Sequence, residues 1–230
     1  KNEPAKDPSN GKPFSSRSLV QRLREGAKAL GWEKRKIEPR QVEQGDYWVG
    51  YGVAAGTYPA RQQQSSANIK LTRKGNEVFA LVELAASDLG TGSHTIIAQT
   101  AADGLGIPVD RITVSIGDSS LPPAAGSVGS VGAASFANAV NDACIKITEE
   151  LIAKSGKQFF VPPTAAQMMI SEKIDAFNTR ADARPPADAG NYSSHSFNAN
   201  FAEVLVNKNT GMVKIERIVA VTAAGKILNP

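Results

Sequence analysis

The sequence predicts an α+β fold with mixed, mainly antiparallel sheets and packed helices. Apolar residues recur at the spacing of an amphipathic helix in three stretches of the chain. Apolar and polar residues alternate in two pairs of neighbouring segments, and a short turn of the kind that joins a hairpin separates each pair. Helices mixed with at least two hairpins are typical of an α+β arrangement.

The first quarter of the sequence contains a polar segment, a helix and the start of a strand region. Residues 1–13 are polar and contain proline, so they are expected to be a linker. Ser15 or Ser16 can cap a helix that ends at Gly31, because serine is a favoured N-cap and glycine favours the left-handed conformation after a helix. The predicted apolar face of this helix is Leu19, Leu23, Ala27 and Leu30. Strand-like residues follow at 47–57.

The rest of the chain is predicted from the same patterns. In order, the expected elements are a hairpin at 69–71 and 77–84, a helix at 94–105, a strand at 111–116, a helix at 133–154, and a hairpin at 197–206 and 212–221. The longest helix places Val140, Ala143, Ile147 and Leu151 on one face. Residues 159–191 are weakly patterned and rich in proline, so they are expected to be largely loop.

The composition is that of an ordinary globular protein and excludes several kinds of site. Of 230 residues, 41% are hydrophobic and 21% are charged. No apolar run is long enough to span a membrane, and the net charge of +4 is spread along the chain, which disfavours a nucleic-acid-binding protein. Cys144 is the only cysteine, which excludes a disulfide framework, a zinc site or a protein-bound iron–sulfur cluster within the chain. Its place on an apolar helix face predicts core packing.

The two ends of the sequence lead us to expect a portion of a longer polypeptide. There is no initiator methionine, and the last residues follow directly after an apolar strand. Residues 1–18 lack an apolar stretch, so no secretory signal is expected at this end.

Two glycine-rich segments, each leading into a predicted helix, are the most informative feature for function. The first glycine loop, residues 88–95, contains Gly90-Thr91-Gly92-Ser93, and the second glycine loop, residues 125–132, contains Gly126-Ser127-Val128-Gly129-Ser130. Glycine lets a backbone approach a ligand closely, and a helix N-terminus adds unpaired N–H groups with a partial positive charge. Together the loops predict a site for a large anionic ligand that contains a phosphate or diphosphate.

Neither loop matches a common phosphate-binding motif. A P-loop requires a lysine after its last glycine, and neither loop has one. A dinucleotide fingerprint requires a third glycine where the first loop has Thr95. Glycine content alone is equally consistent with two tight connections.

The remaining polar candidates are weaker. His94 lies in a predicted first helical turn, where an exposed position is the simpler interpretation, and nothing pairs His195 with a nucleophile. Asp88 and Asp118 lie beside the glycine loops and suit either acid–base chemistry or, more commonly, hydrogen bonds within their own turns. No set of nucleophile, base and orienting residue is evident, so the residues alone predict a ligand-binding fold without chemistry of its own.

Several segments resemble the molybdenum hydroxylases, the family of xanthine dehydrogenase and aldehyde oxidoreductase. Residues 88–102 resemble a glycine loop and helix of that family, and residues 126–140 resemble its second cofactor loop and the helix after it. Shorter segments that fit the family are 107–109, 114–119 and 223–230. Segments that fit the large subunit of bacterial aldehyde-oxidising members, including the periplasmic type, are 14–15, 31–32 and 50–54.

The resemblance implies that residues 14–230 are part of the molybdopterin-binding region of a longer catalytic subunit. The implied cofactor is molybdopterin in its cytosine dinucleotide form, with molybdenum held by the sulfurs of the pterin and not by this chain. The implied cofactor-binding residues are Gly90, Thr91, Gly92, Ser93, Gly126, Ser127, Val128, Gly129 and Ser130.

The resemblance also implies a reaction, in which an aldehyde is hydroxylated to a carboxylic acid, or a heteroaromatic carbon is hydroxylated, with water as the oxygen source. The family's catalytic glutamate belongs to a motif beyond position 230, so no catalytic residue is assigned and the chain is expected to be inactive alone. FAD and 2Fe-2S clusters are expected on partner subunits. The expected location is the cytoplasm or the periplasm, without membrane insertion or nucleic-acid binding.

The sequence departs from the family pattern at a few positions. Thr91 stands where many members have glutamine, and Val128 and Val131 make the second loop less purely glycine and serine. Two other hypotheses stay open: a different phospholigand-binding module, and a non-catalytic assembly domain in which both loops are simple turns.

Overall fold

The computed structural model describes residues 3–225, and the chain divides into two compact units. The first unit contains residues 1–60 and 187–230, and the second contains residues 61–186. In chain order the elements are α1 (Leu19–Leu30), β1 (Glu43–Gln44), β2 (Tyr47–Pro59), β3 (Ser65–Lys74), β4 (Glu77–Glu83), α2 (Ser93–Leu105), β5 (Ile112–Ser115), α3 (Gly132–Ser155), α4 (Ala165–Ser171), β6 (Ala176–Ala183), β7 (His195–Asn207) and β8 (Val213–Ala223). The α+β prediction is therefore confirmed.

The first unit is an antiparallel sheet with one helix on it. Its strand order is β1-β2-β7-β8, and β2 pairs with β7 along its whole length, from Tyr47 to Pro59. Helix α1 packs on β7 through Leu30 and Phe201, and it ends at Gly31, which has φ +82°. The predicted hairpin β7–β8 is confirmed. Residues 226–230, which belong to the last segment resembling the family, lie outside the described residues.

The start of α1 differs from the prediction. The helix begins at Leu19, and neither Ser15 nor Ser16 caps it. The reason is that the backbone of residues 14–15 is extended and pairs with Ser193, whose carbonyl accepts a hydrogen bond from the Ser15 N–H at 3.2 Å.

The described part of the expected linker, residues 3–13, is folded against its own unit. Lys6 and Pro13 form a β-bridge that closes a tight turn. Asp7 in that turn is buried and accepts a hydrogen bond from the Ser193 hydroxyl. Residues 6–13 therefore form an ordered turn, because an aspartate in it has a buried hydrogen-bond partner far along the chain, and the assignment of residues 1–13 as a linker stays a prediction.

The second unit contains a mixed sheet of strand order β5-β4-β3-β6. The predicted β3–β4 hairpin is confirmed, and β6 joins the other side of β3 in antiparallel pairing. Strand β5 instead pairs parallel with β4. Parallel neighbours need a crossover connection, and α2 lies in that connection.

Helices α2 and α3 cover this sheet and bury its core. The four apolar positions predicted for α3 are all buried, and Cys144 on the same helix is 1% exposed, which confirms the predicted core packing. The hydrophobic core of the second unit includes Ile97 and Leu105 of α2 together with Ile147 and Leu151 of α3. Within residues 3–225 no helix, not even the 24-residue α3, is long and apolar enough to cross a membrane.

Residues 159–191 are more structured than expected. Helix α4 lies within this segment, and Thr164 and Gln167 form a reciprocal capping box at its start. Strand β6 follows and alternates buried and exposed side chains from Asn178 to Ala183. The prolines lie on either side of these elements, at 162–163 and 185–186, so they punctuate the segment without preventing its structure.

Candidate functional site

The two glycine loops lie at the same edge of the second unit's sheet. The first glycine loop follows β4 and leads into α2, and the second follows β5 and leads into α3. Because β4 and β5 are parallel neighbours, both loops leave the sheet at the carboxyl ends of their strands. Ligands of open sheets with helices bind at such an edge, beside the helix N-termini.

The segments that follow β4 and β5 stay hydrogen-bonded to each other beyond the ends of the strands. The Ala85 N–H donates to the carbonyl of Pro122 at 2.7 Å, and the Gly117 N–H donates to the carbonyl of Ala86 at 2.8 Å. The Ala125 N–H donates to Oγ of Ser65 at 3.0 Å, and this serine is fully buried at the start of β3. These hydrogen bonds fix the base of the second loop to β3 and to the segment that follows β4.

One carbonyl joins the two loops directly. The carbonyl oxygen of Ser87 accepts hydrogen bonds from the hydroxyls of Ser127 at 2.5 Å and of Ser93 at 3.3 Å. Ser127 and Ser93 are both predicted cofactor-binding residues, one from each loop. The structure therefore brings the two predicted segments together and uses these two hydroxyls as their link.

Asp88 organises the backbone of the first glycine loop. Its carboxylate accepts hydrogen bonds from the backbone N–H groups of Gly90 (2.9 Å), Gly92 (3.2 Å) and His94 (3.3 Å). Partial burial raises the pKa of Asp88, but the hydrogen bonds from His94, Gly90 and Gly92 outweigh it and lower the pKa to about 2. Asp88 is therefore ionised at neutral pH and is no general acid or base.

The glycines of the loops are needed for backbone conformation and leave open space beside the chain. Gly90, Gly92 and Gly129 have φ of +91°, +82° and +56°, and a Cβ at any of them would meet no atom within 4 Å. Ser130 also has positive φ, +58°. These positions present bare backbone to the surroundings, which suits close approach by a ligand.

The exposed part of the loops combines polar groups with isolated apolar side chains. Gly90, Thr91, Gly126, Gly129 and Ser130 are exposed. Leu89 in the first loop is 72% exposed and Val128 in the second is 67% exposed. By contrast, Val131 is buried and anchors the start of α3, so one apparent departure from the family pattern is a core residue.

Close packing of α2 on α3 holds the two helices behind the loops. Gly104 of α2 lies against Cys144 of α3, where a Cβ on the glycine would stand 2.8 Å from the Cys144 Cβ. Burial raises the pKa of the Cys144 thiol to about 12, so the thiol is protonated at neutral pH.

Comparison with known proteins identifies the family of the chain. A family model described as "Molybdopterin cofactor-binding domain" matches residues 25–230. The chain belongs to this family. The resemblance stated from the sequence is confirmed, and the molybdopterin-binding chain described here is similar to subunits of aldehyde oxidoreductases and xanthine dehydrogenases.

Two curated relatives from Escherichia coli illustrate the similarity. The aldehyde oxidoreductase molybdenum-binding subunit PaoC is 38% identical over 94% of this chain and 31% of its own length. The putative xanthine dehydrogenase molybdenum-binding subunit XdhA is 26% identical over 97% of this chain and 33% of its own length. This chain therefore spans about a third of these relatives.

Solved structures show the same fold. The aldehyde oxidoreductase from Desulfovibrio desulfuricans matches with a TM-score of 0.67 and 22% identity, over 96% of this chain and 25% of that chain. The CO dehydrogenase from Oligotropha carboxidovorans matches with a TM-score of 0.68 and 17% identity, over 92% of this chain and 31% of that chain.

The residues at the strand ends fit a molybdopterin cofactor. The three loop glycines with positive φ have open space where a side chain would stand, and a ligand can occupy that space. The hydroxyls of Thr91 and Ser130 belong to exposed loop residues. The N-terminus of α3 and the loop hydroxyls suit a ligand with many acceptor atoms and negative charge, whereas the Asp88 carboxylate already occupies the N-terminus of α2. The exposed Leu89 and Val128 supply apolar surface of the kind a flat ring system contacts.

The other candidates from the sequence have structural explanations. Asp118 accepts a hydrogen bond from the Ser120 N–H at 2.8 Å, and hydrogen bonds from Ser120 lower the pKa of Asp118. The turn interpretation is therefore confirmed for both Asp88 and Asp118. His94 is exposed, as expected, with its Nδ1 3.5 Å from the Asp88 carboxylate.

Reasoning from the sequence missed a polar cluster in the first unit. His195 Nε2 lies 3.5 Å from Oδ2 of Asp7, and the Ser193 hydroxyl donates to the same oxygen. Hydrogen bonds from Ser193 and then from Ser9 lower the pKa of Asp7 to about 2. A carboxylate with this pKa is too weak a base to activate Ser193 at neutral pH. The cluster holds the N-terminal turn against β7. Its unusual feature is the burial of Asp7, which the sequence does not show.

Proposed function

We propose that this chain is the cofactor-binding part of a molybdenum-dependent oxidoreductase and holds molybdopterin, as its cytosine dinucleotide, between the two glycine loops. The observation that supports the proposal most directly is the hydrogen-bonded junction at Ser87, which places both loops at the carboxyl ends of β4 and β5. The residues proposed to contact the cofactor are Gly90, Thr91, Gly92, Ser93, Gly126, Ser127, Val128, Gly129 and Ser130.

The chain's residues have distinct proposed roles at this site. Gly90, Gly92 and Gly129 allow the ligand to approach the backbone, because no side chain stands beside them. Thr91 and Ser130 offer exposed hydroxyls. Ser93 and Ser127 orient the loops through Ser87 and are expected to meet the ligand through their backbone groups. None of these residues is assigned a step in the chemistry.

The whole enzyme is proposed to oxidise an aldehyde to a carboxylic acid. The similarity to a subunit named as part of an aldehyde oxidoreductase supports this substrate class, and heteroaromatic compounds are the second class to test. The aldehyde and one water give the acid, two protons and two electrons, and the molybdenum centre supplies this redox chemistry when it is bound.

Partner subunits are proposed to carry the electrons away. Relatives are named as molybdenum-binding subunits, which supports an assembly of several chains. We propose that the partners hold 2Fe-2S clusters and FAD, in the cytoplasm or the periplasm, and that the catalytic base lies outside these 230 residues.

Molybdenum and pterin content of the intact protein tests the proposal. The metal is measured by elemental analysis and the pterin by the fluorescence of its oxidised form, and both are expected in near-stoichiometric amounts. The informative variant is Gly129→Asn, because asparagine tolerates positive φ and so adds bulk with little strain.

Gly75→Asn is the matched control. Gly75 has φ +64° and no atom within 4 Å of its Cβ position, like Gly129, but it lies in the β3–β4 turn. Gly129→Asn is expected to lose pterin while Gly75→Asn keeps it. Equal pterin content in both variants, or no pterin in the wild type from a host that makes the cofactor, would favour the assembly or phospholigand hypothesis.

A further inference from the structure

The N-terminus of α2 already holds an anion, and that anion belongs to the chain. Three backbone N–H groups of the first glycine loop, from Gly90, Gly92 and His94, donate to the carboxylate of Asp88. These are the groups that a phosphate would use at a helix N-terminus. The Asp88 side chain is only 18% exposed, so little of the carboxylate is available to solvent.

The carboxylate of Asp88 is ionised at neutral pH. Its hydrogen bonds to the loop backbone lower its pKa to about 2 despite partial burial. A phosphate approaching α2 would therefore meet a negative charge and no free donors at Gly90, Gly92 or His94. Like charges at contact distance repel, so the aspartate excludes a second anion from this position.

The second glycine loop has no comparable internal anion. The sequence contains no acidic residue between Asp118 and Asp142, a stretch that includes the whole loop and the first turns of α3. The carboxylate of Asp118 is engaged by Ser120 in a separate turn. The two loops have similar glycine and serine patterns, but only the first contains a carboxylate.

We propose that Asp88 is a positioning residue that shapes the first glycine loop and excludes phosphate from the N-terminus of α2. The first loop then contacts an uncharged part of the cofactor, through Thr91 and the open backbone at Gly90 and Gly92. This inference rests on the proposed function for the identity of the ligand. It makes Asp88 a determinant of how the cofactor is oriented.

Two measurements on Asp88→Ala test the inference, and the first needs no cofactor. Apo-protein is prepared from cells that cannot make molybdopterin, and amide hydrogen exchange of residues 88–95 is followed with and without inorganic phosphate. Phosphate is expected to slow this exchange in Asp88→Ala, because the variant frees three donors, and to leave the wild type unchanged. Formate, a small carboxylate, is expected to compete with phosphate in the variant.

The second measurement is pterin content after expression in a host that makes the cofactor. Asp88→Ala is expected to weaken cofactor affinity by about 10- to 100-fold, as loss of an outer-shell orienting residue does in metal sites, and so to lower pterin content. Asp118→Ala is the matched control, since Asp118 also accepts a backbone hydrogen bond within its own turn but does not contact the N-terminus of either helix. The control is expected to retain wild-type pterin content.

The outcomes separate this inference from the proposed function. An unchanged exchange rate on adding phosphate to Asp88→Ala, or equal protection in the wild type, overturns the role of Asp88. Wild-type pterin content in Asp88→Ala overturns it as well. If the alanine variant does not fold, Asp88→Asn removes the charge with the same shape and is judged by pterin content, because its amide oxygen can still accept hydrogen bonds from the loop N–H groups. A wild type without pterin overturns the proposed function, whereas the phosphate experiment still judges Asp88.

Discussion

Replacing Gly104 with alanine tests whether the close contact between α2 and α3 holds the helices behind the site. A Cβ at this position would stand 2.8 Å from the Cβ and 3.0 Å from the Sγ of Cys144. Carbon atoms in contact prefer about 3.5 Å or more, so the helices must separate by roughly 0.7 Å. The opposing Cβ is attached directly to the α3 backbone, so rotating the Cys144 side chain does not relieve the clash.

The sign of the effect follows from two opposing magnitudes. Alanine in a helix is favoured over glycine by about 1 kcal/mol. Overpacking of a well-packed contact costs about 1–3 kcal/mol, and a rigid Cβ–Cβ clash belongs at the upper end of that range. We expect the free energy of unfolding to fall by about 1–2 kcal/mol. This corresponds to a roughly tenfold larger population of the state in which the two helices have separated.

Amide hydrogen exchange of α2 and α3 measures this loss locally in the intact protein. Asp103→Ala is the control, because Asp103 is an exposed neighbour on the same helix and its loss is expected to change stability by less than about 0.5 kcal/mol. Cys144→Gly removes the opposing Cβ, so Gly104→Ala is expected to be neutral or stabilising when both changes are combined. If Gly104→Ala is neutral or stabilising with Cys144 present, the close contact is refuted.

Three further predictions concern single groups. Ser65→Ala leaves the Ala125 N–H without its acceptor and is expected to cost about 1–3 kcal/mol, seen as faster exchange in residues 121–131. The folded-state pKa of Asp88 lies below its usual 3.8, so the stabilisation from its ionised form is present above about pH 4 and is lost as the pH falls towards 2. The difference in melting temperature between the wild type and Asp88→Asn is therefore expected to narrow over that range. A constant difference would contradict the lowered pKa. The Cys144 thiol, with a pKa raised to about 12, is expected to resist alkylation until urea unfolds the second unit, and rapid labelling of the native protein would contradict its burial.

Local patterns predicted much of the fold. The helix predicted at 133–154 is observed at Gly132–Ser155, and the helix predicted at 94–105 is observed at Ser93–Leu105. Both hairpins were predicted because alternation and turn residues lie close together in the chain. Glycine spacing also located both loops of the candidate site, since the positive φ at Gly92 and Gly129 favours glycine at these positions.

The features that the sequence did not reveal depend on distant partners. Nothing local shows that β2 pairs along its whole length with β7, or that β5 lies parallel to β4. The Asp88 side chain was recognised as a turn residue, but its three donors become evident only when the loop is folded. Helix α4 had a local signal, Thr164 with Gln167 three residues later, which the surrounding prolines obscured.

The hydrogen bond between Ser127 and Ser87 has a consequence for when the site forms during folding. It joins residues 40 positions apart, and α2 and β5 occupy the chain between them. Contacts of high sequence separation form after local ones, because closing a long loop costs entropy before any contact compensates for it. Both intervening elements must therefore pack before the loops meet, and the proposed cofactor site is complete only in a chain whose second unit has finished folding.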